Sequence, residues 1–197
     1  MFTFSSRKCN SLLARIMAGH SEHKHPLDNF SRILEYNKQW AKRKVEEDPD
    51  YFKSLVGIQR PDYLWIGCAD SRVPANQICG LKAGEVFVHR NIANQAPPSD
   101  INFLAVLQFS VQVLKIKDIM VTGHYGCGGI RAAFSTRDHG PLEAWLSHLR
   151  DLRYRHRKDL TLETQEENEN LLCELNVKEQ VFNIARVPFI QLEWKKR

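Results

Sequence analysis

"YLWIGCADSRVP" (Tyr63–Pro74) sets a run of apolar residues directly against a polar turn. Tyr63 to Gly67 is apolar throughout rather than alternating, the pattern of a short strand in a parallel sheet covered on both faces. The run ends on Cys68, Asp70 and Arg72, which place a thiol, a carboxylate and a guanidinium at alternate positions. That ending reads either as a polar strand-to-helix turn or as a metal site carrying its own acid and base. Residues further along the chain have to decide between them.

Working outward, Pro26 to Glu47 predicts a helix, with Phe30, Ile33, Leu34, Asn37 and Trp40-Ala41 at three-to-four spacing and Asp48-Pro49 as its stop. "GEVFVHRN" (Gly84–Asn91) predicts a second strand. Asn102 to Ile116 predicts an apolar helix, with Phe103, Leu104, Val106, Leu107, Val111 and Leu114 facing inward. "DIMVTGH" (Asp118–His124) predicts a third strand, running into a glycine-rich turn and a helix that starts near Gly128. Pro141 to Arg186 reads as helical almost throughout, longest over Glu163 to Ala185, with Leu171-Leu172, Leu175, Val181-Phe182 and Ala185 as its buried face. This alternation predicts an α/β fold: a single domain with a central, mostly parallel sheet flanked by helices.

The chain has 197 residues, enough for one substantial α/β domain and short for two. Apolar residues make up 43% and charged residues 26%, ordinary for a globular protein. No run approaches the roughly 18 apolar residues that a membrane-spanning helix needs. The net charge of +5 collects in the first 20 residues and in "RDLRYRHRK" (Arg150–Lys158). The second run contains Tyr154 but no repeated aromatic pattern, so it reads as a solvated basic helix surface, and no nucleic-acid partner is expected. Five cysteines without a dense framework argue against a disulfide scaffold and for a reducing compartment. Cys9, Cys79 and Cys173 lack partners at ligand spacing and read as structural or incidental. Residues 1–25 are basic and transit-like, or an ordinary basic tail, which leaves mitochondrion and cytoplasm both open. Residues 26–197 form the expected domain.

"GHYGCGG" (Gly123–Gly129) ends the third strand and places His124 and Cys127 three positions apart. In a parallel α/β sheet the carboxyl ends of the strands lie along one edge, where ligands bind. Cys68, His124 and Cys127 can therefore meet at one point. Two thiolates and one imidazole suit a zinc ion and leave its fourth tetrahedral position open, the mark of a catalytic site. Asp70 can either take that position or accept a hydrogen bond from water there. Arg72 can hold the carboxylate in a bidentate pair and keep it ionised. Gly126, Gly128 and Gly129 leave room for close backbone approach and for unusual φ angles. Each pair alone would be incidental; the three together point to a metal site.

"CADSRVP" and "GHYGCGG" resemble the paired signatures of the β-class carbonic anhydrases, which hydrate carbon dioxide reversibly to bicarbonate, and the resemblance runs from Pro26 to Ala185. It implies that Cys68, His124 and Cys127 bind Zn2+, with Asp70 and Arg72 as the dyad beside it. Hydroxide generated on the zinc would attack carbon dioxide; His89 and His139 read as ordinary surface or supporting histidines, with a proton relay as the alternative role. By the same resemblance Gln59 positions substrate across a homodimer or higher homo-oligomer. Val73, Phe87 and Phe109 form the apolar pocket wall, the last often Tyr in the family, and the Gly128 N–H binds a bicarbonate oxygen. Trp65, Gly67 and Arg90 are similar to residues of the bicarbonate-regulated subgroup, in which Asp70 would ligate zinc at low pH and swing to Arg72 as pH rises. After Ala185, "RVPFIQLEWKKR" stops where family members usually continue into an edge strand and a final helix, so both are expected to be lacking. Two other readings keep the zinc: a non-catalytic zinc-stapled protein, and a carbon disulfide or carbonyl sulfide hydrolase.

Overall fold

The apolar run forms the middle strand of a three-stranded sheet. Tyr63–Cys68 (β1) hydrogen-bonds to Val86–Asn91 (β2) on one side and to Asp118–Thr122 (β3) on the other, both in parallel. The register sets Cys68 opposite Asn91 and Gly67 opposite Thr122, so all three strands end along one edge. Every residue of β1 after Tyr63 is buried, which is why the run shows no alternation. The outer strands are mostly half-buried. The third strand stops at Thr122, two residues earlier than the sequence suggests, and leaves His124 in the following turn.

The computed structural model describes residues 29–196, and the transit-like segment 1–25 with Cys9 lies outside them. The chain divides after Gln59 into two compact units. The first contains Asn29–Glu47 (α1) and Tyr51–Ser54 (α2), tied by edge contacts of Trp40 with Tyr51 and Phe52 at 6.2 and 5.8 Å. No described side chain of α1 is buried, and Ile33 is exposed.

The second unit holds the sheet. Its parallel pairings need crossovers, supplied by Ala75–Cys79 (α3) and Ile101–Gln108 (α4). The helix expected over Asn102–Ile116 is not continuous: α4 gives way to a π-helical turn at Phe109–Val113. The wide turn draws Ser110 fully into the core, where its hydroxyl donates to the Leu107 carbonyl at 2.8 Å, and leaves Phe109 exposed. Phe103, Leu107 and Val111 are buried as expected; Leu104, Val106 and Leu114 pack partly against them.

Gly128–Phe134 (α5), Glu143–Arg155 (α6), Gln165–Ala185 (α7) and Pro188–Trp194 (α8) complete the unit. The near-continuous helix expected over Pro141–Arg186 is broken between α6 and α7. Thr164 accepts from the Glu167 N–H and Glu167 accepts from the Thr164 N–H, a capping box that starts a new helix. The buried face of α7 also differs from the expected one. Val181 and Phe182 are exposed, whereas Leu172, Cys173, Asn176, Gln180 and Ile184 are buried. Hydrogen bonding sets this phase: the Asn176 amide donates to the Ala93 carbonyl at 2.9 Å, and the Gln180 carbonyl oxygen accepts from the Ala96 N–H at 2.7 Å. Among the described residues no helix is long and apolar enough to cross a membrane.

Candidate metal centre

Cys68 closes β1, while His124 and Cys127 lie in the turn between β3 and α5. Because the strands end together, these residues converge, and their ligand atoms all lie within 4.8 Å of one another. Both thiols are buried in one apolar cluster with Ala93, Ile130, Leu146 and Leu172. The Sγ atoms stand 3.8 Å apart. A tetrahedral zinc ion with bonds of about 2.3 Å to two sulfurs sets them about 3.8 Å apart. The His124 ring is oriented for the same task. Its Nδ1 lies 3.0 Å from the Tyr125 carbonyl, which can only accept, so the proton sits on Nδ1 and Nε2 presents a lone pair. That Nε2 is buried and has no hydrogen-bond partner. The donor set fits a zinc ion.

The two thiols are electrostatically unequal. Hydrogen bonding from Cys127 holds the Cys68 thiol below its ordinary range, with burial opposing. Cys127 is pushed up, first by the neighbouring Cys68 and then by burial. A divalent ion between the sulfurs would allow both to be thiolates.

Asp70 and Arg72 sit in a tight turn just beyond. Arg72 grips the carboxylate with two side-chain bonds, Nε to Oδ1 at 2.9 Å and Nη2 to Oδ2 at 2.7 Å, and its backbone N–H adds a third to Oδ1 at 2.9 Å. These bonds, the side-chain pair first, hold Asp70 well below the usual carboxylate range. The same Nη2 reaches the Gly126 carbonyl at 3.2 Å and so links the two loops. Asp70 Oδ2 lies 3.8 Å from His124 Nε2, adjacent to the ligand group but turned onto Arg72. Arg90 pins the turn from β2 by donating to the Cys68 carbonyl at 2.7 Å and the Asp70 carbonyl at 2.6 Å.

The remaining residues singled out from the sequence are placed as follows. Phe87 and Phe109 come together, ring centroids 5.9 Å apart. Val73 is half-buried at the end of the Asp70 turn, its N–H donating to the Asp70 carbonyl at 3.1 Å. Gln59 is exposed at the end of the first unit. Gly67 accommodates the Trp65 indole, which would collide with any Cβ there. The three loop glycines do not share one role. Gly126 adopts a left-handed φ of 67°, and Gly129 packs so closely on Ile92 and Ala93 that a Cβ would clash, but a Cβ on Gly128 would meet open space. His89 is buried against Phe103, at a ring distance of 5.7 Å, and burial lowers its pKa. It is not a surface histidine. His139 is half-buried before a 3-10 turn, its N–H donating to Glu143.

Three residues outside the motifs hold the His124 loop. The Cys173 thiol, read from the sequence as structural or incidental, donates to the His124 carbonyl at 3.2 Å. The Tyr125 hydroxyl donates to Glu174 at 2.7 Å, and Val177 packs against Gly123. The sequence signal for them is weak: their common helix, not their spacing to the ligands.

The carbonic anhydrase family profile matches residues 63–197, a span that includes both loops. The chain belongs to the β-class carbonic anhydrases. It is 45% identical over 166 residues to a carbonic anhydrase of Emericella nidulans, covering 84% of this chain and 73% of that one. A carbonic anhydrase of Candida albicans is 42% identical over 143 residues, 70% of this chain, which spans half of that protein's length. Among solved structures, a tetrameric β-carbonic anhydrase of Sordaria macrospora superposes with a TM-score of 0.81 at 39% identity, over 84% of this chain and 85% of that one. The α/β architecture of the second unit is that of the β-carbonic anhydrases.

Proposed function

We propose that this chain hydrates carbon dioxide reversibly to bicarbonate and a proton, with a resident zinc ion on Cys68, His124 and Cys127. One observation carries the reading: three buried donor atoms within 4.8 Å of one another stand beside an aspartate clamped by Arg72. Bound zinc would supply a Lewis acid that lowers the pKa of water to about 7, so that hydroxide is available at neutral pH. Asp70, kept ionised by Arg72, is an acceptor with no proton of its own, and it orients the attacking oxygen by taking its hydrogen bond. The wall of Val73, Phe87 and Phe109 favours an apolar, linear substrate over water. The Gly128 N–H, the first of α5, donates to the bicarbonate oxygen as charge develops.

The active form is a homo-oligomer in which Gln59 contributes to substrate positioning; the tetramer described for the Sordaria macrospora relative supports assembly. Residues 26–197 act together as the catalytic region. Metal analysis, stopped-flow hydration and light scattering on the purified chain test these points together. One zinc per chain, hydration above the uncatalysed rate and a mass above that of one chain are expected. Zinc-loaded protein without hydration would leave a metal that only staples the fold.

A further inference from the structure

Arg150 and Arg153, three positions apart, share one face of the last turns of α6, and Arg157 follows in the turn just beyond the helix. With Phe134, Tyr154 and Leu160 they line an open cavity of about 400 Å³, and no carboxylate lines it. The guanidinium groups are fixed in place rather than free. Arg150 donates to the Ser135 carbonyl at 2.9 Å and to Glu143 at 3.0 Å, and its Nε is buried without a partner. Arg153 donates to the Ala133 carbonyl at 3.2 Å and stacks on Phe134 at 4.5 Å. Arg157 donates to the Tyr154 carbonyl at 2.9 Å and stacks on that ring at 4.4 Å. Each guanidinium has five N–H donors, so several remain for a ligand.

The charge is not neutralised from within. Among the described residues Glu143 pairs with Arg150 and Glu179 with Arg155, and no carboxylate pairs with Arg153 or Arg157. Three cations, of which only Arg150 is paired, with Glu143 outside the cavity lining, leave a surplus that matches a dianion better than a monoanion. Planar guanidiniums bind phosphate oxygens bidentately, and a phosphate monoester carries a charge of about −1.5 to −2 at neutral pH.

We infer that this cavity is a binding site for phosphate, free or as a small monoester. Its concavity favours a compact ligand over a nucleic-acid backbone, which runs along an exposed stripe of charge.

Titration calorimetry of the full zinc-loaded chain with inorganic phosphate and with phenyl phosphate tests the site. Saturable binding is expected, weakened about tenfold or more by the double change Arg153→Gln and Arg157→Gln, which removes charge-assisted hydrogen bonds. Arg155→Gln removes the same charge from a neighbouring residue paired with Glu179, and it should leave binding unchanged. Arg157→Gln alone, at an exposed side chain, gives a weaker loss in the same direction if the double variant does not fold. Tighter binding of phenyl phosphate assigns the site to monoesters, and equal binding assigns it to free phosphate. Absence of saturable binding, equal loss with Arg155→Gln, or affinity unchanged in the pocket variants would overturn the assignment. So would binding of a single-stranded oligonucleotide that phosphate does not displace.

Discussion

The two loops that supply the metal donors are held in different ways. The Cys68–Pro74 turn is fixed by charge and hydrogen bonds from nearby residues: Arg72 grips Asp70, and Arg90 takes the carbonyls on either side of Ala69. The Gly123–Gly129 loop takes one bond from that turn, Arg72 to Gly126, and is otherwise held by residues distant in sequence, through hydrogen bonds as well as packing. Cys173, Glu174 and Val177 press on it from α7, and Gly129 beds on Ile92 and Ala93. A turn that carries its own charged pair announces itself in sequence; a loop held from a distant helix does not.

Variants can break or sharpen this contrast. The largest effect erases it: Cys68→Ser and Cys127→Ser should both abolish zinc retention and reduce hydration to background, because each loop gives one sulfur. Metal content and stopped-flow rates check this, and retained zinc in either would refute the ligand set. Asp70→Asn tests the charged turn alone. Zinc should stay, while kcat/KM falls about 10²–10⁴-fold as the positioned acceptor is lost.

Gly129→Ala tests the packed loop. Its methyl would lie 2.8 Å from Ile92 Cγ2 and 3.0 Å from Ala93 Cβ, so a loss of about 1–3 kcal/mol is expected in denaturant unfolding. Gly128→Ala, facing open space, should change stability little. Cys173→Ala removes the bond to the His124 carbonyl, and zinc affinity measured by chelator competition should fall about tenfold, with Cys173→Ser restoring most of it. Smallest of all, Phe182→Ser at an exposed position should shift stability by no more than about 0.5 kcal/mol. A larger loss there would restore the buried face first expected for α7.

Most of the fold was legible because β1 is buried almost throughout and its motifs stand at strand ends. The three donors were legible for the same reason: each pair alone would be incidental, but strand ends along one edge bring Cys68, His124 and Cys127 together. The misreadings have physical causes. Nothing in "FSVQV" distinguishes a π turn from an α turn; the difference lies in the burial of Ser110. On α7 apolar periodicity pointed to Val181 and Phe182, but the backbone after β2 needed donors and acceptors, and Asn176 and Gln180 won the inner face. Ala93 and Asn94 are held in the left-handed region, with φ of 61° and 45°, beside that polar contact. Cys173 could be read only as structural or incidental because its partner is a carbonyl, which leaves no trace in sequence.

The parallel pairing of β1 with β3 has a consequence for how the protein is made. Its sulfurs are 59 positions apart in the chain and meet only after both crossovers have closed, and the His124 carbonyl is clasped only once α7 has docked. A nascent chain leaving the ribosome cannot assemble this trio until nearly all of the second unit has emerged. With the proposed zinc on these residues, metal uptake would be a closing event of biogenesis, and a chain holding the ion would already have passed its folding inspection.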